Sequence, residues 1–315
     1  MWQRHAERLS EEIKAVLSPV PREGRFYKIV GRSLAVRLGD LTDTTKRHKP
    51  WPVLPLVVCE AVSGYFEPAL PAAAALLLFS AAADVFDDVE DDDKSISSRA
   101  GGRAAANNSA TALLILAEQS LLRLRESGAG SAATVKVAAI ANSYYLQSCL
   151  GQHLDLVYPE KKAITEEDYL HMIQMKTGSH VECACVVGAI LGGSKKKINS
   201  AFGKFGRNLG MAAQIANDIQ GMLSGDDIEK RKVTIAGAFA GAGRNGAPAA
   251  QASRKTKMES DEAARFKRHL LDSGGVFYAA VKMEEYRQTA ADTLLALEKT
   301  GLNVSRLRGF VEDGS

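Results

Sequence analysis

Pro71-Ala72-Ala73-Ala74-Ala75-Leu76-Leu77-Leu78-Phe79-Ser80-Ala81-Ala82-Ala83 runs without a break into Asp84-Val85-Phe86-Asp87-Asp88-Val89-Glu90-Asp91-Asp92-Asp93. The first half is apolar on every side of a helix, so it belongs in a core. Pro71 opens it, at a position where a missing N–H costs nothing. From Pro68 to Ala83 the apolar run is short for a bilayer span, and a buried helix is the better reading. The second half loads acids onto the end of that helix. Asp87 and Asp91 stand one turn apart on one face, with Asp88 beside them. Like charges at that spacing repel, and a negative cluster at a helix C-terminus opposes the macrodipole. A hard cation with oxygen ligands offsets this cost, and Mg²⁺ takes one or two carboxylates plus substrate phosphates. A solvated acidic run is the plainer alternative, but growth out of a buried helix turns the first carboxylates inward.

Outward from this segment the helical period continues. Val135, Ala138, Asn142, Leu146 and Cys149 recur at helical spacing, as do Met283, Tyr286, Ala290, Leu294 and Leu297. Thr165-Glu166-Glu167-Asp168 reads as a capping box opening the helix that carries Tyr169 to Met175. Gly128-Ala129-Gly130-Ser131, Gly192-Gly193-Ser194 and Gly274-Gly275 punctuate between helices. The nearest approach to a strand, Lys232-Val233-Thr234-Ile235, is too short to anchor a sheet. Ala240 to Ser260, rich in Gly, Ala, Ser, Asn and Lys, reads as a long surface loop. The fold class is therefore all-α, expected as a single domain over residues 1–315.

Apolar residues make up 46% and charged residues 24%, a mixture able to bury a large core. A net charge of +3 with no contiguous basic stripe argues against a nucleic-acid partner. Met1-Trp2-Gln3-Arg4-His5 leads into no apolar stretch, which argues against a secretory leader. Cys59, Cys149, Cys183 and Cys185 lack CxxC spacing and read as reduced core thiols of a cytoplasmic protein.

A second polar spot interrupts another apolar stretch, Gly210-Met211-Ala212-Ala213-Gln214-Ile215-Ala216-Asn217-Asp218-Ile219-Gln220-Gly221. Gln214 and Asp218 share a face, with Asn217 adjacent. Oxygen-bearing side chains in so apolar a helix are costly unless paired or metal-bound. A satisfied buried network is the competing account. Basic groups complete the inventory: Lys46-Arg47-His48-Lys49-Pro50, Lys176-Thr177 and Lys230-Arg231-Lys232.

In order, these segments resemble the trans-isoprenyl diphosphate synthase (polyprenyl synthetase) family, over nearly the whole chain from about Tyr27 onward. Lys46-Arg47-His48-Lys49-Pro50 is similar to its GKRxRP block, and Asp87-Asp88-Val89-Glu90-Asp91 matches its first aspartate-rich motif, DDxxD. Gly151-Gln152-His153-Leu154-Asp155 resembles GQxxD, and Tyr169 to Gly178 resembles YxxMIxxKTG. Gln214 to Asp218 sits where the family has QxxDD, and Asp227 to Thr234 resembles DxxxxKxT. Any one of these is weak; six in the right order are specific.

The resemblance implies an isoprenoid-synthase bundle of helices around a central cavity, a homodimer, with two acidic motifs facing each other at its mouth. It implies three Mg²⁺ bridging Asp87, Asp91 and the Asn217/Asp218 pair to an allylic diphosphate, with Asp88 part of the same motif. Lys176, Thr177 and Lys232 would hold that diphosphate, with Gln214 near the developing cation. Lys46, Arg47 and Lys49 would grip isopentenyl diphosphate. The product would be a short C15–C20 diphosphate. Phe79, roughly 11 Å below Asp87 along the helix, is the expected floor, with small Ala82 and Ala83 leaving the space above it open.

The chain also departs from the family pattern. Its second motif reads Asn217-Asp218-Ile219-Gln220-Gly221, with an amide first and no final carboxylate. Ser80 stands where the family usually has His, Asp43-Thr44-Thr45 replace the glycines before GKRxRP, and the RRG block is not legible. These changes fall mainly on the isopentenyl diphosphate pocket. Three alternatives follow: a synthase that prenylates another acceptor such as a peptide, a class I terpene cyclase, and a non-catalytic partner retaining the fold. The cyclase motif N-D-x-x-S-x-x-x-E finds Gly221 and Gly225 at its serine and glutamate positions.

Overall fold

Helix α4, Leu70–Glu90, carries the apolar run and its acidic end in one piece. Its residues from Leu70 to Phe79 are all buried, as are Ala81, Ala82, Val85 and Val89. Pro71 lies in its first turn and a 3₁₀ turn, Glu67–Ala69, leads into it. The apolar segment is therefore longer than the sequence suggests. Residues 67–90 are long and apolar enough to cross a membrane, yet 78% of the most apolar window is buried inside the protein. A core helix satisfies that composition by packing against its neighbours.

The computed structural model describes residues 2–22, 24–42, 51–91, 96–161, 163–230, 232–242 and 259–312. Before α4 come α1 (Gln3–Leu17), α2 (Gly24–Thr42) and α3 (Leu54–Ser63). After it follow α5 (Ile96–Leu122), α6 (Gly130–Val157), α7 (Glu166–Ile173) and α8 (Ser179–Leu191). The second half holds α9 (Lys196–Ser224), α10 (Asp226–Glu229), α11 (Ile235–Ala242), α12 (Ser260–Asp272), α13 (Gly275–Glu298) and α14 (Ser305–Glu312). Among the described residues there is no strand. Lys232 to Thr234 is a short link into α11. The expected loop from Ala240 to Ser260 lies almost wholly outside the described residues.

Packing follows the sequence patterns with one correction. α4 lies against α5, α8 against α9 and α3, and α9 against α13. The stripe on α13 is largely buried, with Ala290, Leu294 and Leu297 in the core. On α6 the period is right but the face is turned. Thr134, Val137, Ala141, Tyr145, Gly151 and Asp155 are buried, whereas Val135 and Leu146 are 69% and 72% exposed. Cys149 is exposed too, unlike the buried Cys59, Cys183 and Cys185, so only three of the four thiols are core thiols. Small residues let α6 approach its neighbours closely, so its inward face is the less hydrophobic one.

The capping box is present: Asp168 N–H donates to Thr165 Oγ1 and Thr165 N–H to the Asp168 carboxylate. The helix it opens does not run evenly through Met175. α7 widens into a π turn, Gln174–Gly178, before α8 begins. Such turns insert one residue and re-aim side chains, and they recur at functional sites.

Candidate active site

The π turn is pressed against α6. A Cβ on Gly151 would lie 2.1 Å from the Lys176 backbone nitrogen and 2.4 Å from its Cα, so only glycine admits this approach. One turn of α6 then surrounds Lys176. Its Nζ lies 2.8 Å from Asp155 Oδ2 and 3.2 Å from Asp87 Oδ1, joining α6 to α4. Gln152 Nε2 donates to Asp87 at 2.8 Å and to Glu90 at 2.7 Å. Burial works against the charge of Lys176, but Asp155 and Asp87 outweigh it and raise its pKa. Lys232 stands 3.5 Å from Asp91 Oδ2.

The opposite wall belongs to α9. Asp218 is buried and accepts hydrogen bonds from Tyr169 Oη at 2.6 Å and Gln214 Nε2 at 2.8 Å. Thr177 in turn donates to Gln214 Oε1. Burial pushes the Asp218 carboxyl up to about 7, although both hydrogen bonds favour its charged form. Burial also raises Asp227, partly opposed by Lys232 and Lys230.

Asp87, Lys176, Thr177, Gln214, Asn217, Asp218 and Lys232 all line one cavity of about 860 Å³. The oxygen-bearing patches of α4 and α9 therefore open onto a common space. Asp91 joins it through Lys232, and Asp88 is not among the lining side chains. Lys46, Arg47 and Lys49 lie outside the described residues. Deeper in, Ala83 and Phe79 line the wall while Ala82 faces away, fully buried. Phe79 stacks on Tyr145 with ring centroids 3.7 Å apart and planes 5° apart. Beside it Ser80 Oγ lies 2.8 Å from His180 Nε2, so an imidazole absent from α4 reaches this level from α8. Burial, with Arg37 nearby, lowers His180 to about 4 and keeps it neutral.

Several of these residues carried no role in the sequence reading. Gln152, Asp155 and Asp227 sat inside recognised motifs without an assignment, though Gln152 and Asp155 share a helix face behind a glycine. The Arg37–Asp84 fork, with both N···O distances at 2.7 Å, joins α2 to α4. Nothing in the local sequence pairs those two.

The donor set suits a hard cation. All the unassigned ligand atoms are carboxylate or amide oxygens, and two lysine ammonium groups stand in as cations on Asp87, Asp155 and Asp91. The hydrogen bonds to the Asp218 carboxylate come from the neutral Tyr169 and Gln214, so its charged form has a buried negative charge to be met. Among the described residues no three Asp, Glu, His or Cys side chains converge on one point. Two facing walls rather than a closed cage is what Mg²⁺ needs when phosphate oxygens supply the rest of its shell.

A model of the polyprenyl synthetase family matches residues 41–270. The chain belongs to that family. Among polyprenyl synthetase relatives, the geranylfarnesyl diphosphate synthase of Aeropyrum pernix is 26% identical over 186 residues, 54% of this chain and 56% of that one. The tryptophan prenyltransferase ComQ of Bacillus subtilis subsp. natto is 36% identical over 87 residues, 28% of this chain and 26% of that one. These alignments thus span about half or less of the curated relatives. The solved geranylgeranyl pyrophosphate synthetase of Geoglobus acetivorans superposes over 98% of both chains with a TM-score of 0.81 at 22% identity, a likeness of fold.

Proposed function

We propose that this polyprenyl synthetase is a Mg²⁺-dependent prenyltransferase, folded as one domain, that condenses an allylic diphosphate with isopentenyl diphosphate to a C15–C20 polyprenyl diphosphate. The observation that carries this is the single cavity with carboxylates on two facing walls and lysines between them. Bound Mg²⁺ would supply the positive charge that neutralises a leaving diphosphate. Asp87 and Asp91 on one side, with Asp218 and Asn217 on the other, are the residues that would hold it. Lys176 and Lys232 are then free to turn from carboxylates to the diphosphate oxygens. The Gln214 side chain is held in place by Thr177 and Asp218, beside the position where positive charge develops. The apolar wall from Ala83 to Phe79 excludes water from that charge. Exposed Ile115 and Leu122 on α5, with Val135, Leu146 and Leu150 on α6, support a homodimer.

Incubation with farnesyl diphosphate, radiolabelled isopentenyl diphosphate and Mg²⁺ tests the reading. Longer labelled diphosphates are expected, and their complete absence sinks it. Replacing Phe79 with Ala removes the ring stacked on Tyr145 and should lengthen the product, read by chromatography of the dephosphorylated alcohols. An unchanged distribution would take Phe79 out of the floor. The likeness to a tryptophan prenyltransferase, together with the Asn-Asp form of the second motif, favours one second reading. In it the same allylic diphosphate is transferred to a peptide side chain, and labelled farnesyl diphosphate would mark peptide instead of isopentenyl diphosphate.

A further inference from the structure

We infer that the cavity wall holds a subsite for an uncharged aromatic acceptor carrying an N–H group, with His180 Nδ1 as the atom that accepts from it. The inference rests on the second reading, transfer of the allylic group to something other than isopentenyl diphosphate. Below Asp87 the wall carries four polar side chains that the diphosphate chemistry leaves unused: Arg37, Ser80, Asp84 and His180 all line the cavity. Ser80 and Asp84 are four residues apart and share a face of α4. They stand about 10 Å and about 5 Å below Asp87 at a rise of about 1.5 Å per residue, on the side where a prenyl tail would lie. A hydrocarbon tail has nothing to pair with such groups, and covering them without partners is costly.

The hydrogen bonds fix which atom is open. Ser80 Oγ has one hydrogen, and it donates to Leu76 O at 3.0 Å. Ser80 then accepts at its 2.8 Å contact with His180, so the imidazole proton sits on Nε2. The Nδ1 lone pair has no hydrogen-bond partner among the described residues and is accessible. Burial, and then the Arg37 guanidinium that Asp84 holds by two bonds of 2.7 Å, keep His180 unprotonated and Nδ1 an acceptor. Because Asp84 already meets the Arg37 charge, the cluster offers no net charge to a second diphosphate. Trp51, Phe79 and Phe86 line the same cavity, and Phe79 stacks on His180 with centroids 5.8 Å apart and planes 23° apart. A flat ring that bears one N–H donor and no charge matches both features.

The test binds two probes to the full chain in the presence of Mg²⁺ and the non-ionising farnesyl thiolodiphosphate. One is N-acetyltryptophanamide and the other its 1-methylindole form, which lacks the N–H; calorimetry reads both. Wild type should bind the N–H probe about tenfold tighter, the scale of leaving one buried acceptor unpaired. His180→Phe keeps a ring on Phe79 but no lone pair, and should bring the two probes to within about twofold of each other. A wild-type chain that binds neither probe, or both alike, overturns the inference, and that result needs no variant to fold. So does a preference that survives in folded His180→Phe, since a methyl group refused for its bulk alone would still be refused. Transfer of label from farnesyl diphosphate to the N–H probe tests the second reading on its own. N–H preference without transfer keeps the subsite and sinks that reading, and transfer without N–H preference does the reverse.

Discussion

The α4 and α9 walls of the cavity carry the same chemical groups in opposite states. On α4, Asp87 is partly exposed and meets the ammonium of Lys176, while Asp91 meets Lys232. On α9, Asp218 is buried and its hydrogen bonds come from the uncharged Tyr169 and Gln214. The α4 wall is electrostatically settled before any ligand arrives, and the α9 wall is not. A cation entering between them gains most from the buried side, where charge is least screened and least matched. The α4 wall instead holds Lys176 and Lys232, which on the proposed function would be released to the diphosphate.

The largest test of this contrast replaces one aspartate on each wall. Asp87→Asn and Asp218→Asn should each lower turnover at least about 100-fold, the scale of losing one electrostatic stabiliser. Melting without metal at pH 8 should separate them. Asp218→Asn removes a buried charge and should not destabilise, whereas Asp87→Asn takes a partner from Lys176 and should. If both variants melt alike, the contrast between the walls is wrong. Next in size is Lys176→Met, which takes the ammonium from Asp155, whose side chain is 8% exposed. Urea unfolding should show a loss of about 3 kcal/mol, the low end for breaking a buried pair because Lys176 itself is partly exposed.

Tyr169→Phe removes the short hydrogen bond to Asp218 and should cost about 2 kcal/mol at pH 8, the scale of a bond to a charged acceptor. It should also raise Asp218 further and weaken metal binding near neutrality. The smallest effect is the pH slope of stability in a chelating buffer. Folded Asp218 keeps its proton up to about pH 7, whereas an unfolded aspartate loses it near pH 4. Between those values the folded state binds the extra proton, so this group's contribution to stability falls as pH rises through that window and is level outside it. Comparing melts of wild type and Asp218→Asn across pH 4–7 isolates the slope. An identical slope in both would remove Asp218 as its source.

The two walls were also unequally legible. The acids of α4 announce themselves as a run at the end of an apolar helix, and the capping box of α7 is complete within four residues. Asp218 was visible as a polar interruption and through its likeness to a family motif, and nothing local showed that Tyr169, 49 residues away, would hold it. On α6 the stripe of larger apolar residues pointed away from the core. The true inner face, with Ala141, Gly151 and Asp155, is governed by how close its neighbours come.

The sequence by itself determined where most helices form and that oxygen-bearing side chains gather at two places, because caps and the 3.6-residue period act within a few residues. Only the tertiary structure decided which carboxylate meets which cation, that a π turn presses Lys176 against Gly151, and that His180 of α8 meets Ser80 of α4. Those outcomes depend on close approach between segments distant in the chain, and no local pattern carries that distance.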